Sequence, residues 1–234
     1  MIEAKQPPLS YYVSRLESGA PFAFSRWGDG EFLAVLGYGG QNCDRHEYFP
    51  ALGADLRRVL LNQYPYTFAI GPLATAYLGR KIERFLSEQK VAIDWHSTDI
   101  FVESLLAGQL QPLVDVLRGK RVHYVGPGHL FNRRRAGTVA GVFPWASASV
   151  IPDVNCYLSK ARILDGIVDT VQRNPVDVIG FSAGMLSNVL IDELWPVVGQ
   201  TTALVDFGSL WDGAAGKISR SYHRKVDYRV RERT

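Results

Sequence analysis

Pro21-Phe22-Ala23-Phe24-Ser25-Arg26-Trp27-Gly28-Asp29-Gly30-Glu31-Phe32 opens as an apolar, strand-like run and breaks into a turn holding two carboxylates two residues apart. An arginine precedes the carboxylates, glycines surround them, and a helix-like segment from Phe32 to Leu36 follows. A strand end that feeds a helix start is where α/β proteins place anionic ligands. Hard cations take oxygen ligands, and Mg²⁺ is commonly held by one or two carboxylates plus substrate phosphates. Asp29 and Glu31 therefore read as half a metal site for Mn²⁺ or Mg²⁺, completed by a bound diphosphate. Acidic residues in a first helical turn also answer the helix dipole, so a plain cap is the competing reading of either one.

Working outward, short β-branched or aromatic runs alternate with longer amphipathic ones. The expected strands are Phe22–Arg26, Tyr66–Ile70, Val91–Trp95, Arg121–Val125, Ser147–Ile151, Val176–Phe181 and Ala203–Phe207. The expected helices are Ala54–Asn62, Leu73–Glu88, Thr98–Leu106, Pro112–Leu117, Tyr157–Gln172 and Met185–Leu194. Strands separated by helical stretches of this length predict an α/β, Rossmann-like, mostly parallel sheet with helices on both faces. Most strands end in turn chemistry, as at Gly71-Pro72, Gly126-Pro127-Gly128, Pro152-Asp153, Ser182-Ala183-Gly184 and Gly208-Ser209. Ligands of open parallel sheets bind at the carboxyl ends of the strands, so these loops and the Asp29 turn should line one crevice.

The chain has 234 residues, of which 47% are hydrophobic and 21% charged, as expected for one sizeable domain. No apolar leader opens the chain and no apolar run approaches the roughly 18 residues of a membrane span, so a cytoplasmic protein without integral membrane association is expected. Cys43 and Cys156 are too few for a disulfide framework and lack metal-ligand spacing. Charge is uneven: residues 217–234 carry seven Lys/Arg against Asp227 and Glu232, and Arg133-Arg134-Arg135 forms a second basic cluster. The expected organisation is a domain over residues 1–216 followed by a basic segment over 217–234. Such patches suit phosphates, on a nucleotide or on nucleic acid.

Gly180-Phe181-Ser182-Ala183-Gly184 matches the nucleophile elbow of α/β-hydrolases, with Asp206 and His223 following in the order of their triad. Only 50 residues follow Gly184, and no HGGG-type segment precedes it, which leaves little chain for the rest of that fold. The elbow makes a serine hydrolase the alternative enzyme class. Gly126-x-Gly128 lacks the third glycine and the ribose-binding acid of a dinucleotide fingerprint, and no two histidines have zinc-ligand spacing. His129 and His223 stand in polar contexts suited to phosphate or acid–base roles.

The stretch Phe24-Ser25-Arg26-Trp27-Gly28-Asp29-Gly30-Glu31-Phe32 resembles the F-x-R-[FYW]-G-D-G-E-[LF] signature of GT-D-type glycosyltransferases. Val150 to Tyr157 is similar to that family's i-x-P-x-x-N-A-[FY] segment, and Val205-Asp206-Phe207-Gly208 resembles its i-D-i-G strand end. The chain departs from the pattern where Ser182-Ala183-Gly184 replaces a proline-containing turn, and in its ending after Gly208. The resemblance implies a Rossmann-like transferase with a D-x-E metal motif and a nucleotide-sugar donor, here a UDP-sugar. On that basis Asp29 and Glu31 are the metal pair. Arg26, Trp27, Gly28, Gly30, Asn155, Ser182 and Arg220 are the donor-binding candidates. Asp206 and then His223 are the candidate bases for an inverting reaction. A glycan or glycopeptide is the favoured acceptor and a hydroxylated base in DNA the alternative. A nucleotide-binding module without catalysis is the remaining class.

Overall fold

The computed structural model describes residues 2–131, 142, 144–226 and 228. Its elements run α1 (Leu9–Ser18), β1 (Ala23–Trp27), α2 (Asp29–Val35), α3 (Pro50–Leu61), β2 (Thr67–Ile70), α4 (Pro72–Glu88), β3 (His96–Ser97), α5 (Ile100–Leu106) and α6 (Gln111–Arg118). They continue with β4 (Val122–Pro127), β5 (Ser147–Ile151), α7 (Lys160–Arg173), β6 (Val178–Phe181), α8 (Leu186–Val198) and β7 (Ala203–Asp206). The seven strands form one sheet in the order β3-β2-β1-β7-β6-β4-β5, and every ladder in it is parallel.

The central strands β6 and β7 are buried at every position, as a parallel sheet covered on both faces requires. Period-two alternation divides the side chains between two apolar layers. Ala23 and Trp27 of β1, Ile179 and Phe181 of β6 and Leu204 of β7 pack with α2, α3, α4, α7 and α8. Phe24, Val178 and Val205 pack on the other face with α1, α5 and α6. Proline in the first turn of α3, α4 and α6 starts these helices where an amide donor is not needed. Gly19, at φ 65°, ends α1 in the left-handed cap that glycine adopts without strain.

The chain winds from β1 through β2 to β3 at one edge, then crosses to β4 and builds the other half, and β7 finally inserts beside β1. The carboxyl ends of β1 and β7 thus lie where the winding reverses, the usual seat of a ligand in such sheets. The expected α/β architecture is the observed one.

Two local expectations differ. Val91–Trp95 is not a ladder strand: pairing with β2 begins only at His96, in register with Ala69. The residues before it run as extended chain, and the edge is flanked instead by the N-terminal segment, with Lys5 N–H donating to the Trp95 carbonyl at 2.7 Å and Ser97 N–H to the Lys5 carbonyl at 2.8 Å. Helix α1, ahead of the first expected strand, buries Tyr12, Val13 and Leu16. No single described helix is long and apolar enough to cross a membrane. The bent pair α5 and α6 passes that test by composition, and Ile100, Phe101, Leu105, Leu113, Val114 and Leu117 of the pair belong to the second core layer.

Candidate active site

At the end of β1 the chain leaves the ladder at Trp27, whose carbonyl accepts the Gly71 N–H at 2.8 Å, and enters α2 one residue later. The Glu31 carboxylate turns back to accept the Gly28 N–H at 2.8 Å. This is half of a capping box, since Gly28 has no side chain to return the bond. Removal from water, reinforced by the charge of Asp206, pushes the Glu31 pKa up to about 7 against the pull of Arg26. Asp29 opens the helix and is exposed; its charge and that of Glu31 add to burial in raising Tyr48 to about 12. The capping role is therefore real for Glu31, while Asp29 makes no such bond.

Arg26 points to the opposite face of β1 from Trp27. Its guanidinium lies against Gly208, in the space a β-carbon there would fill, and its Nε is buried without a hydrogen-bond partner. An unpaired buried donor of this kind is costly, while the rest of the side chain lines the larger lobe of the crevice above the strand ends. Asp206 stands at the end of β7 and accepts the Gly208 N–H at 2.9 Å. Burial raises its pKa to about 6 although Arg26 works in the other direction.

The start of α8 fixes both strand ends. Asn188, fully buried, accepts from Ser25 Oγ at 2.6 Å and donates through Nδ2 to the Arg26 carbonyl at 2.8 Å, while Trp27 Nε1 donates to Ser25 Oγ at 2.9 Å. With every donor in this buried network satisfied, the turn that carries Asp29 is held from beneath.

Above these strand ends lies a crevice in two lobes. The larger, about 640 Å³, is lined by Arg26, Asp29, Glu31, Asp99, Glu103 and Asp206, with an apolar lip of Leu73, Val102 and Leu106. The smaller, about 350 Å³, is lined among others by His46, His129, Asp153, Ser182 and Lys217. A bidentate ion pair stands between them, from Arg220 Nη1 and Nη2 to Asp44 Oδ1 and Oδ2 at 2.8 and 2.5 Å.

The structure brings Arg26, Gly28, Asp29, Gly30, Glu31, Asp206 and Arg220 together on the larger lobe. The other sequence candidates lie elsewhere. Trp27 is fully buried in the core against Phe32 and Phe68. Asn155 exchanges hydrogen bonds with Glu47, 2.8 Å from its N–H and 3.1 Å to its carboxylate, and so clamps the α2–α3 loop without lining either lobe. His223 is 1% exposed, its Nδ1 accepting the N–H groups of Ser219 and Arg220 and its Nε2 donating to the Ser209 carbonyl. Both ring nitrogens are engaged by the backbone, so it has no free position for acid–base work. Ser182 Oγ donates to the Gly208 carbonyl at 2.5 Å and pairs with Tyr124 OH at 2.7 Å. No histidine bonds it, and the Ser182, Asp206, His223 order does not assemble into a triad. His129 pairs through Nε2 with Asp212 at 2.8 Å. The cluster Arg133 to Arg135 lies outside the described residues, as do the last residues of the basic segment.

Among the described residues, no group of three or more His, Cys, Asp or Glu side chains forms a complete metal cage. Asp29 and Glu31 supply two hard oxygen donors beside Arg26, a set that fits a divalent cation whose other ligands come from a bound phosphate. Asp44, Gly208 and Asn188 escaped sequence reading. Asp44 and Asn188 carry no local signal, and Gly208 was visible only as a strand-end glycine.

No protein-family model matches the chain, and no curated protein matches it. Among solved structures the chain is similar to "the highly conserved domain of unknown function 1792", which "has a distinct glycosyltransferase fold". The similarity has a TM-score of 0.59 at 17% identity and covers 90% of this chain and 80% of that one. The protein has a glycosyltransferase-like α/β fold.

Proposed function

We propose that the protein is a metal-dependent glycosyltransferase that moves a sugar from a nucleoside-diphosphate sugar, a UDP-sugar, to a hydroxyl of a glycan or glycopeptide. The observation that carries this reading is Arg26, a half-buried guanidinium that lines the larger lobe, set against Gly208 beside the carboxylates of Glu31 and Asp206. The fold and the resemblance of residues 24–32 to the transferase signature support it. So does the larger lobe, whose volume of about 640 Å³ falls in the range of small-molecule sites.

In this reading Arg26 grips the donor diphosphate, a task its planar fork performs and a lysine does not. Asp29 and Glu31 would hold Mn²⁺ or Mg²⁺, which supplies Lewis-acid neutralisation of the departing diphosphate. Asp206 takes the proton of the acceptor hydroxyl in an inverting transfer. Its pKa, raised to about 6, makes it a stronger base than an ordinary carboxylate. The apolar lip of Leu73, Val102 and Leu106 offers a surface for the nucleoside ring.

A panel of nucleotide sugars assayed with Mn²⁺ or Mg²⁺ for nucleoside diphosphate release tests this directly. Release should stop with chelator and fall at least about 100-fold in Asp29→Ala, as the loss of a metal ligand does. Full metal-dependent activity in Asp29→Ala would refute the metal assignment, and labelling of Ser182 by a phosphonate probe would restore the hydrolase.

A further inference from the structure

The two lobes of the crevice share Cys43, Asp44, Gly184, Gly208, Ser209 and Arg220, and the Asp44–Arg220 ion pair spans the boundary between them. Its partners come from distant segments, the α2–α3 loop and the chain beyond β7. Each is held in place. Asn42 Oδ1 accepts the N–H groups of Asp44 and His46, both at 3.0 Å, and the Arg220 N–H donates to His223 Nδ1 at 3.2 Å.

About a third of each side chain is exposed, 32% for Arg220 and 35% for Asp44. The exposed part of each side chain faces the crevice, where both residues line both lobes. A guanidinium fork grips a carboxylate and a phosphate with the same two-pronged geometry. Arg220 shares the larger lobe with Arg26, and Tyr222 feels both guanidinium charges.

We infer that Asp44 occupies on Arg220 the seat of a ligand phosphate. Arg220 is then a second phosphate-binding cation of the crevice, and Asp44 is an internal competitor that a phosphate or diphosphate ester displaces. Displacement also opens the partition between the lobes, so that binding of the anion joins the two compartments. The inference rests on the reading of the larger lobe as a diphosphate site.

A double-mutant cycle on the full chain tests it, with UDP and inorganic pyrophosphate as probes, each titrated calorimetrically with and without Mn²⁺. Asp44→Asn should bind both probes about tenfold more tightly, and Arg220→Gln about tenfold more weakly. In the Arg220→Gln background the Asp44→Asn gain should vanish. Asp99→Asn, which removes a carboxylate of the same lobe that does not contact Arg220, should gain clearly less than Asp44→Asn, and its smaller gain should be the same with and without Arg220. Asp44→Ser serves as the second variant if Asp44→Asn melts early. The inference is overturned if Asp44→Asn binds no more tightly than wild type, if its gain persists without Arg220, or if Asp99→Asn gains as much. It is equally overturned if the wild type binds neither probe. Sugar-transfer assays separate the two readings: a cycle that holds in a protein transferring no sugar sinks only the transferase, and an additive cycle in an active transferase sinks only this inference.

Discussion

The Arg26 guanidinium and the α-carbon of Gly208 are in direct contact, so that a β-carbon at residue 208 and the arginine head group would claim the same volume. Gly208 also sits at φ 53°, in the left-handed region. Gly208→Ala should therefore fold with a loss of about 1–2 kcal/mol from backbone strain. Its main effect should be on the donor: with Arg26 pushed from its place, the KM for a nucleotide sugar should rise at least about tenfold. Steady-state kinetics beside a urea titration separates the two effects, and an unchanged KM would show that Arg26 does not hold the donor.

Glu31 does two jobs that substitution can separate. Its carboxylate accepts the Gly28 N–H, and its charge lines the crevice. Glu31→Gln keeps an acceptor oxygen for the cap and removes the charge, so it should melt within a few degrees of wild type while metal-dependent turnover falls at least about 100-fold. Glu31→Ala should lose the same activity and about 1 kcal/mol of stability as well. Equal activity of Glu31→Gln and wild type would leave Glu31 as a cap alone.

How much of this was legible along the chain depended on distance in sequence. The alternation of strands and helices could be read because each element carries its own period. Arg26, Asp29, Glu31 and Asp206 could be singled out because they stand at strand ends, where the topology exposes side chains to a ligand. Trp27 was misjudged against evidence already present: Ala23, Ser25 and Trp27 share one face of β1, so the indole belongs to the core layer with Ala23. Val91–Trp95 has strand composition, but the ladder starts where Lys5 and β2 can reach the edge, a tertiary fact. Asn188 and Asp44 act on partners more than 160 residues away in the chain, Ser25 and Arg220, and no local pattern announces such pairs.

His123 gives a pH dependence of known sign. It is fully buried on β4, with Nδ1 2.7 Å from Ser147 Oγ and Nε2 3.0 Å from Ser149 Oγ, and burial lowers its pKa to about 4. The folded state thus resists a proton that the unfolded chain accepts near pH 6.5. The stability it contributes is present above pH 6.5 and is lost as pH falls from there to about 4, a total of about 3 kcal/mol. His123→Gln keeps one hydrogen-bonding side chain on the serines and removes the titration. The difference in unfolding free energy between wild type and variant should shift by that amount between pH 7 and pH 4, and a constant difference would contradict the neutral buried imidazole.

Asp206 should show the opposite sign, and with it a conflict between stability and activity. Its pKa is raised from 3.8 to about 6 by burial, so the fold binds a proton that the unfolded chain has released. The site is most stable below pH 3.8 and loses stability as pH rises to 6 and beyond, by about 3 kcal/mol in all. Asp206→Asn imitates the protonated form, and its amide oxygen still accepts the Gly208 N–H. The variant should therefore be more stable than wild type at pH 8 by about 1–3 kcal/mol and show less of this advantage at pH 5. The same variant, deprived of the carboxylate that takes the acceptor proton, should lose at least about 100-fold in kcat while binding UDP within a few-fold of wild type. A stabilised and fully active Asp206→Asn would remove Asp206 from the chemistry and leave it as a charge buried beside Arg26.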